Sequence, residues 1–110
     1  MRRLVLAMAS ATVFVSGAAI AHPTDFCYER SHFALMMAED RDSFRNKLTD
    51  QDEDYAKSAW KSVLSDHSKR DVDKHMELIV TVWEVMPQQS PREIERITLQ
   101  DCLKRPERYQ

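Results

Sequence analysis

His22 follows Ala19-Ile20-Ala21, and a cut after Ala21 would make it the first residue of the chain. Its free amine and Nδ1 would then form a five-atom chelate, the geometry of a copper histidine brace. His32, His67 or His75 would supply the second imidazole, a ligand that suits copper. Pro23 removes the next amide as a ligand without blocking the brace. Against this chemistry stands an alternative in which His22 is only what a peptidase leaves behind.

The other candidate ligands are arranged less favourably. Asp50, Asp52 and Asp54 in D-Q-D-E-D match positions 1, 3 and 5 of a calcium loop. Tyr55 then stands where glycine is required, and Lys61 where a bidentate glutamate is required. Solvated acids in the first turn of a helix explain the run better. His67 and His75 are eight residues apart and belong to no H-E-x-x-H or Cys-plus-His zinc pattern, so no metal site is assigned. His75 reads as a boundary residue between a polar and an apolar helix face. Met36, Met37, Met76 and Met86 recur at core spacing and read as packing side chains. No G-x-S-x-G occurs, and the cysteines look committed to each other, so no catalytic nucleophile and no cofactor are expected. E-D-R-D at 39–42 is the one charged cluster inside a well-patterned helix. Either it is a solvated face, or Arg41 and Asp42 form a buried or partner-facing hydrogen-bonded pair.

The segment before His22 has the three parts of a secretory signal. Arg2 and Arg3 form the charged region, Leu4 to about Ser16 the apolar region, and Ala19-Ile20-Ala21 the small-x-small cleavage pattern. A bilayer span needs roughly 20 apolar residues, and this run is shorter and broken by Ser10, Thr12, Ser16 and Gly17. A periplasmic or secreted location is therefore expected, with no membrane anchor after cleavage. Loss of Arg2 and Arg3 takes Lys+Arg from 16 to 14 against 18 Asp+Glu, so the net charge moves from −2 to −4. That balance argues against nucleic acid or an anionic membrane as partner, since both need a clustered basic face.

One domain of this length is marginal without a staple. Cys27 and Cys102 are the only cysteines, and an oxidising compartment favours their pairing. A loop of about 75 residues closed in this way is worth on the order of 4 kcal/mol in the chain-entropy model. The only glycine, Gly17, lies in the signal segment. Tight β-hairpins and phosphate-cradling loops, which draw on glycine, are thereby disfavoured. An all-α domain follows: a small four-helix bundle closed by one disulfide, occupying residues 22–110.

Four helices are predicted over about 25–47, 50–65, 70–86 and 91–104, with a polar tail at 105–110. Phe26, Phe33, Met37, Phe44 and Leu48 form the inward stripe of the first. Thr49 caps the second, whose core face is Ala56, Ala59, Trp60, Val63 and Leu64. Val72, Met76, Ile79, Val82, Trp83 and Met86 line the third, which ends at Pro87. Ser90, Pro91 and Glu93 make a capping box for the fourth, with Ile94, Ile97 and Leu103 facing in.

In this order the features resemble a loose group of small exported proteobacterial helical proteins of unknown function. The elements that carry the resemblance are Cys27, Ala38 with Arg41-Asp42, Ile79 with Val82-Trp83, Met86-Pro87, Ser90-Pro91 and Cys102. Ser43-Phe44 stands where that group's pattern has glycine after the R-D pair, which leaves the helix unbroken. The resemblance implies the fold and the export, and no activity.

The functional expectation is a non-enzymatic binding or accessory protein acting on an envelope protein as a monomer or weak oligomer. An inhibitor, an immunity-type protein or an envelope-stress factor would fit. The alternative is an acid- or stress-activated periplasmic chaperone, since the build resembles the enterobacterial acid chaperones with a longer cysteine spacing. The third class is a copper-binding protein using His22.

Overall fold

The computed structural model describes residues 24–45 and 52–110. Residues 1–23, which hold the expected export signal with Ala21 and His22, and the positions Leu48 and Thr49 lie outside the described residues. The described chain forms helix α1 (Phe26–Arg45), α2 (Glu53–Val63), α3 (Lys69–Val80) and α4 (Pro91–Lys104). A π-helical turn at Thr81–Val85 continues α3, and a 3-10 turn at Pro106–Arg108 follows α4. No strand occurs among the described residues.

Local signals set the helix starts. Asp52, not Thr49, caps α2, its carboxylate accepting from the Tyr55 amide at 2.8 Å. Glu53 and Asp54 fill the first turn, where the helix dipole favours anions, and Lys57 pairs with Glu53 at 3.3 Å. Ser68 caps α3 and Ser90 caps α4, each accepting the amide three residues on, from Asp71 and Glu93. Pro91 takes the first turn of α4, as expected. The other half of the predicted capping box does not form, because Arg96 takes the Glu93 carboxylate.

α1 is the hub. It packs most extensively on α4 and more lightly on α3 and the π turn, while α2 packs on α3. Phe33, Met37, Ile79, Val82 and Ile94 are the large apolar side chains of the core. Phe33 stands edge-on to Trp60 of α2 (4.9 Å between centroids) and to His75 of α3 (4.7 Å). The Cys27–Cys102 disulfide joins the start of α1 to the end of α4 with Cα atoms 5.6 Å apart. The four methionines pack against or within this core.

Three predicted inward residues point out instead. Val63 is 61% exposed, Leu103 42% and Phe44 41%. Val63 is the last residue of an α2 that rests mainly on α3, so its apolar stripe is wider than the surface that covers it. The predicted polar tail is also structured, since the 3-10 turn brings Tyr109 against the core.

Candidate functional site

Two buried arginines organise the polar interior. Arg41 is 1% exposed. Its Nη1 donates to the carbonyl oxygens of Val82 (2.8 Å) and Met86 (2.9 Å), and its Nη2 to that of Gln89 (2.6 Å). Its Nε donates to Asp42 Oδ1 at 3.0 Å. A helix leaves its last carbonyls without intrahelical partners, and a glycine in the left-handed region commonly satisfies them. No glycine occurs among the described residues, and the residues ending α2, the π turn and α4 (Leu64, Met86, Arg105) all have negative φ. At the end of the π turn a guanidinium fork supplies the donors instead. The turn is wide there, with the Met86 amide bonded to the Thr81 carbonyl at 2.8 Å, which leaves the Val82 carbonyl to Arg41. Arg41 thus fastens α1 to the α3–α4 connection from a buried position, and the partly exposed Asp42 pairs with it at the edge.

Arg30 is 7% exposed and ties three parts of the fold together. Nε donates to the carbonyl of Tyr109 at 2.9 Å, Nη1 to Glu29 Oε1 at 2.8 Å and Nη2 to Asp71 Oδ1 at 2.7 Å. His75 completes the cluster and is buried at 3% exposure, not at a boundary. Its Nδ1 lies 2.8 Å from the Asp71 carbonyl, an acceptor, so Nδ1 carries a proton. Its Nε2 lies 3.3 Å from Arg30 Nη1 and 3.3 Å from Glu29 Oε2. Asp71 also receives His67 Nδ1 at 2.5 Å.

These contacts shift the protonation of the cluster. The hydrogen bond with His75 lowers Glu29, burial opposes this, and the charge of Arg30 adds to the lowering. Burial raises Asp71, but hydrogen bonds from His67 and Arg30 outweigh it and leave it below its usual value. Burial likewise disfavours the charged form of His75, yet hydrogen bonds to Glu29 and to the Asp71 carbonyl raise it overall.

α3 and α4 both rest on α1 and barely touch each other. The seam between them is an open groove of about 540 Å3. Leu78, Val85, Met86 and Ile97 give it an apolar lining, and Tyr109 and Arg108 of the C-terminal turn form part of its wall. Val85 is 68% exposed. The Tyr109 hydroxyl donates to Asp101 Oδ2 of α4 at 2.6 Å; burial first and this bond second push the phenol above its usual value, and the bond helps hold Asp101 below its own.

Of the residues singled out by type and spacing, Arg41, Cys27 and Cys102 are buried in the connections just described, and Asp42 pairs with Arg41 from a partly exposed position. His32 is exposed, and His22 lies outside the described residues. His67 and His75 meet on the shared carboxylate of Asp71, yet no group of three or more His, Cys, Asp or Glu side chains is placed to hold a metal among the described residues. Glu29, Arg30, Asp71 and Tyr109 have no linear motif. The one available signal was an arginine three positions from Cys27 and three before Phe33, on the helix face that the disulfide must bury. The Cys27–Cys102 bond is compatible with an extracellular or periplasmic site, as is the lack, among the described residues, of a helix long and apolar enough to cross a membrane. Comparison with known proteins returns no family model, no curated protein and no solved structure that matches the chain.

Proposed function

We propose that this is an exported, non-enzymatic binding protein that seats an apolar segment of another polypeptide in the α3–α4 groove. Its role would be that of an inhibitor, an immunity-type protein or an envelope-stress factor. One observation carries the reading: the groove combines an apolar lining, including the exposed Val85, with charges of both signs at Lys74, Glu77, Asp101 and Arg108. A polypeptide offers apolar side chains and mixed charges together, whereas nucleic acid would select a basic face. Export with cleavage after Ala21 supplies the oxidising compartment in which the disulfide persists.

The test is an amide-shift map of the labelled mature protein titrated with pools of short amphipathic peptides. Shifts concentrated on Leu78, Val85, Ile97 and Thr98, and lost in Val85→Glu, are expected. Binding that ignores Val85→Glu overturns the groove. Mass spectrometry of the exported protein should find His22 at its start.

A chaperone reading draws on a different observation, the large exposed side chains Tyr28, Phe44, Tyr55 and Val63. Light scattering of an aggregating client at about pH 3 and about pH 7 tests it, and no protection at either pH removes it.

A further inference from the structure

We propose that Arg30, together with Glu29, Asp71 and His75, is a proton-operated latch that holds the C-terminal turn against the α3–α4 groove. The clause about the groove rests on the reading above, and the latch itself does not.

Geometry comes first. Arg30 is the crossing point of α1, α3 and the C-terminal turn, and its Nε holds the turn through the Tyr109 carbonyl. The far side of Tyr109 is anchored through its hydroxyl on Asp101, beside Arg105 and Arg108. Arg70 Nε adds a bond to the Gln110 carbonyl oxygen at 2.6 Å. Tyr109 and Arg108 are also groove wall. Where the turn goes, one side of the groove goes with it.

Donor and acceptor inventory then gives the proton dependence. With Nδ1 committed to the Asp71 carbonyl, His75 Nε2 faces a pure donor, Arg30, and a pure acceptor, ionised Glu29, at the same 3.3 Å. Neutral His75 accepts from Arg30. Protonated His75 donates to Glu29, whose other oxygen still takes Arg30. In both states the guanidinium stays in place, provided that Glu29 and Asp71 are ionised. The groups facing His75 are Glu29 and Arg30 from α1 and Asp71 from its own helix, with His67 behind Asp71. α2 reaches this region through Trp60, against Phe33.

Acid removes the condition. When Glu29 and Asp71 take up protons, two cations, Arg30 and His75, remain 3.3 Å apart in a buried position with neither carboxylate charged. Like charges at that distance, out of water, repel strongly. The helices are held by the disulfide, the Arg41 fork and the apolar core. The C-terminal turn is held by Tyr109 packing and a few polar bonds, so it is the part that yields. Release is expected below about pH 4, where carboxylates of depressed pKa protonate.

The experiment follows Tyr109 ring signals and the Val82, Ile79 and Ile94 methyls of the disulfide-intact mature protein by NMR from about pH 7 to about pH 2. Tyr109 should reach its free-chain position while the core methyls remain native. Glu29 is half exposed, so Glu29→Gln is expected to fold. It should move the release midpoint up by about one pH unit and the His75 titration down by a similar amount. Tyr109 moving only together with the core methyls overturns the latch, and so does an unshifted midpoint in Glu29→Gln. No partner is needed for these readings, so the latch and the peptide groove fail separately.

Discussion

The guanidinium of Arg41 donates to the carbonyl of Val82 across 2.8 Å, joining the C-terminal part of α1 to a π turn forty-one residues later. With the Met86 and Gln89 carbonyls it closes a helix end that has no glycine to close it. Removing the side chain leaves three carbonyls short of donors. Arg41→Met should therefore cost about 3 kcal/mol in urea unfolding. Arg41→Lys should recover little, because an ammonium cannot span the same fork.

Breaking the Cys27–Cys102 bond releases a 75-residue separation in the unfolded chain. The Cys27→Ser, Cys102→Ser double variant should lose roughly 2–5 kcal/mol, read as a shift of the denaturant midpoint.

Stability should depend on pH with a maximum on the mildly acidic side. His75 is raised from 6.5 in the fold, so its contribution is complete below 6.5 and fades as pH rises through the raised value. Glu29 and Asp71 are lowered from 4.5 and 3.8, so their contribution is present above those values and fades as pH falls through the depressed ones. Urea midpoints should peak between about pH 4.5 and about pH 6.5. In Glu29→Gln the alkaline shoulder should flatten. A profile rising steadily to pH 9 contradicts the assignment.

Ser90→Ala removes the side-chain acceptor for the Glu93 amide and should cost about 1 kcal/mol. Glu93→Gln should leave the midpoint unchanged, because the Glu93 carboxylate serves an exposed pair with Arg96 rather than the cap. A thermal melt of both variants separates the two roles.

Features written along the chain were legible in the sequence. The bounds of α4 follow from Ser90-Pro91 and Pro106, the all-α class from the missing glycine, and the disulfide from having two cysteines only. Arg41 stood out as part of the one charged cluster inside a well-patterned helix, with a solvated face as the other reading. Arg30 and Asp71 did not, because a polar residue on a helix looks solvated until its long-range partner is known. His75 was misplaced for the same reason: its partners Glu29 and Arg30 come from another helix. The π turn carries no pattern of its own, since the carbonyls it frees are taken by a side chain forty residues upstream. Phe44, Val63 and Leu103 show the opposite error, where periodicity marks a face without saying whether anything covers it.

The unequal packing of α2 has a consequence for how the protein opens. α1 and α4 are bound to each other by an extended interface and a covalent bond, while α2 rests on α3 and reaches α1 through Trp60. Cooperative units of lowest contact density exchange their amides first. The amides of α2 should therefore exchange through a partial opening that leaves α1 and α4 protected. That opening would uncover Phe33 and Met76 while the rest of the domain kept its shape, giving the protein a second apolar surface present only in a minor state.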